Sequence, residues 1–104
     1  MGSLTVSGFD WDEGNRGKCQ RHGLTLEEIE DLFRSRPLVA PDIAHSMRET
    51  RHLAIGRTPQ GRAIFVAFTL REIDGQDRIR PISARPMHQK EIAHYEETLA
   101  VPDH

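Results

Sequence analysis

Residues 62–70, Arg-Ala-Ile-Phe-Val-Ala-Phe-Thr-Leu (RAIFVAFTL), decide the fold. A nearly continuous apolar run rich in Val, Ile and Phe reads as a strand at the centre of a sheet, covered on both faces. Immediately before it, Thr58-Pro59-Gln60-Gly61 reads as a turn, with proline where a fixed φ helps and glycine where the chain must reverse. Upstream of that turn, His52-Leu53-Ala54-Ile55-Gly56-Arg57 supplies a second strand, and Leu38-Val39-Ala40 a short edge strand before Pro41-Asp42. Downstream, Asp74-Gly75 marks another reversal and Asp77–Arg85 (DRIRPISAR) returns as a further strand. Pro81 has no N–H for a ladder, so it points to an edge or a bulge. The stretch from Pro41 to Arg48 carries no clear signal.

Two helices precede this meander. Asp12 caps a short one running toward Gln20, intrinsically weak because of Gly14 and Gly17. Arg21-His22-Gly23 ends it, with Gly23 free to adopt the left-handed conformation. For the next helix, Thr25 with Glu28 matches a capping box, and Leu24 with Ile29 a hydrophobic staple. Ile29, Leu32 and Phe33 form its apolar face, Glu27, Glu30 and Asp31 face water, and Pro37 stops it. A closing helix over about Met87–Leu99 places Ile92, Tyr95 and Leu99 on one narrow stripe. The expected class is therefore α+β: N-terminal helices, an antiparallel sheet of three to four strands and a C-terminal helix.

The chain has 104 residues, of which 37% are hydrophobic. That suits one globular domain, spanning residues 9–99 between a flexible leader (1–8) and a tail (100–104). Cys19 is the lone cysteine and cannot form an internal disulfide. No apolar run approaches the roughly 18 residues of a membrane span, and the N-terminus lacks the pattern of a signal peptide. The expected setting is a soluble, cytoplasmic one, with no membrane partner.

Charge is segregated along the chain. Residues 1–47 carry 5 basic and 8 acidic groups, residues 48–90 carry 9 basic and 4 acidic, and residues 91–104 carry 4 acidic groups and neither Lys nor Arg. Eight of the nine central cations are arginine, whose planar fork suits phosphate. Two readings stand: a salt-bridged, solvated sheet face, or a phosphate-contacting surface framed by acidic ends.

Several short segments together resemble one family. These are Phe9-Asp10-Trp11-Asp12-Glu13, Arg21-His22-Gly23-Leu24-Thr25, Glu28–Phe33, Arg51–Arg57 with Gly61-Arg62, Phe68–Arg71, Ile79–Arg85, and Glu91 with Tyr95. In order and spacing, over about residues 9–97, they resemble the BrnT toxins. That resemblance implies a RelE-like ribonuclease fold and RNA cleavage that arrests translation. It also implies a partner antitoxin, usually a ribbon–helix–helix protein, in a heterotetramer that meets operator DNA only through the antitoxin. The chain departs from the family pattern at Asn15, where lysine is frequent, at Cys19, where asparagine is common, and at Pro81, where isoleucine is usual. Lys18, one turn on, is the candidate substitute for the missing lysine.

RNA can be cut without cofactor or metal because its 2′-hydroxyl attacks the adjacent phosphorus. The step needs a base, cations for the growing phosphate charge, and an acid for the leaving oxygen. Arg57, Arg71, Arg80 and Arg85 are the candidates to converge on the scissile phosphate. The alternative for each is a surface ion pair with Glu49, Glu72, Asp74 or Asp77. Strict alternation puts Phe65, Ala67, Thr69 and Arg71 on one face, Ser83 with Arg85 on a shared face, and Arg78 with Arg80 on the other.

His22 and Glu49 are the leading proton-transfer candidates, beside His52 and Lys18. His22 has an alternative role closing a helix C-terminus, and Glu49 one in pairing with Arg51 or Arg48. Lys18, Arg51, Arg62 and Arg78 complete the RNA-binding set. Trp11 could stack on a base but fits a core anchor better, as does Tyr95. Glu91-Ile92-Ala93-His94 has the Glu-x-x-His spacing of carboxylate metal sites, but a single copy, and no zinc-type cysteine spacing exists, so no metal is expected. A non-catalytic nucleic-acid-binding module, or a co-repressor working with an antitoxin, is the competing reading.

Overall fold

The structure, a computed structural model, describes residues 8–42 and 50–100, with side chains through residue 97. Its elements run α1 (Glu13–Gln20), α2 (Leu26–Arg34), β1 (Leu38–Pro41), β2 (His52–Arg57), β3 (Ala63–Ile73), β4 (Gln76–Pro86) and α3 (Gln89–Ala100). The four strands form one antiparallel sheet in sequence order. The α+β architecture expected from the sequence is the one observed.

Asp12 caps α1 as expected, its carboxylate accepting from the Asn15 N–H at 3.0 Å. The reciprocal bond, Asp12 N–H to Asn15 Oδ1 at 2.7 Å, completes a capping box. Asn15 is buried, and its amide nitrogen also donates to the carbonyls of Asp10 and Pro81, both at 2.9 Å. α1 ends at Gln20, and Gly23 takes φ +88° where the chain turns into α2.

Thr25 caps α2, but only half of its expected capping box forms. The Thr25 hydroxyl accepts from the Glu28 N–H, whereas the Glu28 carboxylate turns to Arg62, whose guanidinium offers two charge-assisted bonds in place of one amide. Leu24, Ile29 and Leu32 are buried in the core, with Phe33 packed against it. Glu30, expected to face water, is instead half-buried and accepts the Trp11 indole N–H at 2.8 Å. That contact and its packing against the core make Trp11 an anchor.

The strand at residues 63–73 is the internal one anticipated from its apolar run. Ile64, Val66 and Phe68 are fully buried on the face carrying α1 and α2, while Ala63, Ala67 and Thr69 are buried on the other. The β3–β4 hairpin turns through Asp74 and Gly75, both at positive φ (54° and 77°). Such a two-residue turn matches the twist of its flanking strands.

Pro81 marks a bulge. Ala67 pairs with Ser83 but Phe68 pairs with Pro81, leaving Ile82 as the extra residue. This corrects the face assignment made by strict alternation. Ile79, Pro81 and Ala84 point into the core, so Arg78 and Arg80 lie on the same open face as Ser83 and Arg85. β4 also gains an unexpected neighbour, since Phe9 bridges to Ile79 in parallel and Ile79 N–H donates to the Gly8 carbonyl.

α3 is held to the open face by ion pairs, Arg85–Glu91 and Arg57–Glu96. Its stripe residues Ile92 and Tyr95 are half-buried rather than core, because the helix rests on the sheet through these charged side chains; the Leu99 side chain is outside the described residues.

Candidate functional site

The sheet pairs place Leu53, Phe65, Ala67, Ser83 and Arg85 on the open face. There they line a pocket of about 380 Å³ with His22, from the α1–α2 junction, and Glu91, from α3. Leu53, Phe65 and Ala67 give it an apolar floor; His22, Ser83 and Arg85 give it polar edges. Elements far apart in the chain thus bring a cation, an imidazole and a hydroxyl to one hollow.

Arg85 is the most constrained of these groups. Its guanidinium lies over the Phe65 ring, 4.6 Å from the centroid, and forms two parallel bonds to Glu91 at 2.9 and 2.8 Å. It also donates to the Pro86 carbonyl at 3.1 Å. Glu91 in turn accepts the His88 N–H at the start of α3. The Arg85 guanidinium first, and that backbone N–H second, hold the Glu91 carboxyl down at about 2. Glu91 therefore stays ionised at neutral pH and acts as a fixed anion rather than a proton carrier.

The four arginines expected to converge do not meet at one point. Arg57 pairs with Ala63 and Arg71 lies on the same strand as Ala63 but eight residues on, so they stand roughly 26 Å apart along the sheet at about 3.3 Å per residue. No single phosphate spans that distance. Their counter-ions also differ from those expected: Glu96 for Arg57, Glu91 for Arg85, and Asp10 with Asp12 for Arg80. Arg80 spans to the segment before α1, and the Asn15 N–H followed by this guanidinium lowers the Asp12 carboxyl below its usual value. Arg71 pairs directly across the ladder with Arg78.

Of the remaining predicted residues, Arg62 is committed to structure. It binds buried Glu28 through two contacts, at 2.7 and 2.8 Å, and the Gly23 carbonyl at 2.9 Å, so it pins the start of α2 and depresses the Glu28 carboxyl. Lys18 is exposed on α1, and Arg51 is half-buried beside β1, its carbonyl accepting from Asp42 N–H. His52 stacks on Phe68 at 5.3 Å, on the helix-bearing face and away from the pocket. Glu49 lies outside the described residues. Among the described residues no three His, Cys, Asp or Glu side chains are grouped to share a metal ion, and no helix is long and apolar enough to cross a membrane.

Sequence reasoning missed the part played by Glu91 and by the Phe65 ring. Glu91 carried a readable signal, a carboxylate three residues after the residue preceding α3. Phe65 carried none beyond its place opposite Arg85.

A four-stranded sheet with two helices on one face and an arginine-edged hollow on the other defines an α+β domain. The family described as the ribonuclease toxin, BrnT, of type II toxin–antitoxin systems matches residues 11–91. The chain belongs to that family. Comparison with curated proteins returns no match.

Proposed function

We propose that this chain is an endoribonuclease that cuts RNA without a metal ion at the open-face pocket, acting in the cytoplasm as the toxin of its pair. Family membership supplies the activity class. The observation that carries the site is the meeting of His22, Ser83 and Arg85 at one hollow. In this reading Arg85 bears the charge that builds on the phosphate oxygens. Packing on Phe65 keeps its fork oriented before substrate arrives. His22 moves the proton, taking it from the 2′-hydroxyl or giving it to the leaving oxygen. Ser83 donates a hydrogen bond beside Arg85, and Glu49 remains the other proton-transfer candidate. Arg57, Arg71 and Arg80 serve neighbouring phosphates rather than the scissile one. The antitoxin is a ribbon–helix–helix protein that covers the toxin and carries the pair to operator DNA.

The filled fork of Arg85 favours a second reading, a co-repressor without nuclease activity. One assay separates the two: purified chain with a defined RNA in excess EDTA. Cleavage is expected, falling roughly 10²–10³-fold in Arg85→Ala, as for loss of a charge-stabilising donor, and about 10²-fold or more in His22→Ala. Wild-type rates in both variants would remove the site. Intact RNA with the wild-type chain, together with enhanced operator binding by the antitoxin, would establish the co-repressor.

A further inference from the structure

From Gln89 through Glu97, α3 contributes no buried side chain to the core, and Ile92 and Tyr95 reach only half-burial against the sheet. Its foot is fixed, because Met87 is buried and the Met87 N–H donates to the Ala63 carbonyl at 2.9 Å. Beyond that foot two ion pairs tie the helix down, Arg85–Glu91 at 2.8 Å and Arg57–Glu96 at 2.7 Å. The outer pair is open to water, with side-chain exposures of 45% and 56%, and such a pair holds weakly. A helix rooted at one end and tied by charge along its length can lift without opening the core.

The inner tie sits on the candidate site. Glu91 lines the hollow with His22 and Ser83. It fills the Arg85 fork through two parallel bonds, the geometry a phosphate takes on the same guanidinium. One fork cannot hold both anions in that way. Arg85 has other supports, since its guanidinium lies 4.6 Å from the Phe65 ring centroid and donates to the Pro86 carbonyl at 3.1 Å. The helix is itself anionic, carrying Glu91, Glu96 and Glu97 against Lys90.

We propose that α3 is a lid that closes the RNA site from within, the Glu91 carboxylate standing in for a substrate phosphate. A phosphate of single-stranded RNA opens it by taking the Arg85 fork, and the helix swings about Met87–His88. The proposal rests on the reading of the Arg85 hollow as the RNA site. A filled fork then marks the closed state of an active chain.

Fluorescence anisotropy on the full chain tests this with a 2′-O-methyl RNA of about ten nucleotides, which binds but cannot be cut. A site open only part of the time binds with its affinity reduced by that fraction. Glu91→Gln keeps Arg85 and empties its fork, so it should bind about tenfold more tightly, as for a lid open roughly a tenth of the time. Glu96→Gln should gain by a smaller factor. Glu97→Gln makes the same charge change at an exposed position on the same helix and should change little. Arg85→Ala should bind weakly, and adding Glu91→Gln to it should restore nothing, because the gain acts through the fork.

An isolated helix of 12 residues is marginal in water, so a lifted α3 should exchange its amide hydrogens faster. RNA should quicken that exchange in the wild-type chain, and Glu91→Gln should quicken it before RNA is added. Equal gains in Glu91→Gln and Glu97→Gln would reduce the effect to bulk charge and overturn the lid. Weaker binding by Glu91→Gln would make Glu91 a support for Arg85 and overturn it too, as would slower α3 exchange on adding RNA. Cleavage of unmodified RNA is scored separately. Tighter binding by Glu91→Gln with the RNA left intact keeps the lid and refutes the nuclease reading. Cleavage that is lost in Arg85→Ala, with Glu91→Gln binding as wild type, keeps the site and refutes the lid.

Discussion

Glu91 fills the guanidinium fork of Arg85 from six residues away, closing α3 onto the sheet through two bonds of nearly equal length. The pair is a titratable clasp. Glu91 falls from an ordinary value of 4.5 to about 2 on folding. A depressed carboxyl contributes stability that is present above the unfolded value and lost as pH falls through the folded one. The clasp should therefore weaken between about pH 4.5 and pH 2. Thermal melts across that range should show wild-type stability declining more than that of Glu91→Gln, in which the clasp no longer titrates. Parallel declines would show that Glu91 does not set the acid response.

Asn15 ties three backbone groups together from inside the fold, at Asp10, Asp12 and Pro81. Asn15→Ala should destabilise by about 2–3 kcal/mol, because buried groups left without partners carry their full desolvation cost. Urea denaturation measures this. A change under about 0.5 kcal/mol, the range of ordinary surface substitutions, would place the bonds outside the stabilising set.

Arg62 and Glu28 make a one-sided ion pair, with Glu28 at 7% side-chain exposure and Arg62 at 43%. Arg62→Ala strands the buried partner, so its urea midpoint should fall. Adding Glu28→Gln should restore part of the loss, since the uncompensated charge is gone. RNA affinity should stay near wild type in Arg62→Ala. A large loss of RNA affinity would return Arg62 to the binding surface.

Gly56 faces α2 across a tight gap: a Cβ there would lie 3.1 Å from Leu32 Cδ1 and 3.6 Å from the Pro37 Cα. Gly56→Ala should cost about 1–3 kcal/mol through overpacking. Pairing it with Leu32→Val should recover part of that cost by opening room. Failure to recover would locate the clash at the Pro37 backbone.

The fold was legible where local signals agree. The run at 62–70, the caps at Asp12 and Thr25, and the Asp74-Gly75 turn each specify geometry from neighbouring residues. The open face was less legible because its pattern depends on a count. One inserted residue reverses inside and outside for everything beyond it, so Arg78 and Arg80 could not be placed without the partner strand. Counter-ions were hidden for a related reason: Arg57 finds Glu96 at a separation of 39 residues, whereas the carboxylates considered for it were closer in sequence. Half the capping box at Thr25 was lost to the same kind of distant competition, from Arg62.

Ile82 is the residue that the β3–β4 ladder leaves uncounted. Its presence, more than its chemistry, decides which way the arginines toward the turn look. Exchanging it for other side chains should leave Arg78, Arg80 and Arg85 on one face. Removing that one position would force a choice: Arg78 and Arg80 rotate against Phe68 and Leu70, or Ser83 and Arg85 leave the hollow. Either outcome divides these arginines between the two faces, so chain length at this point is under tighter control than residue type.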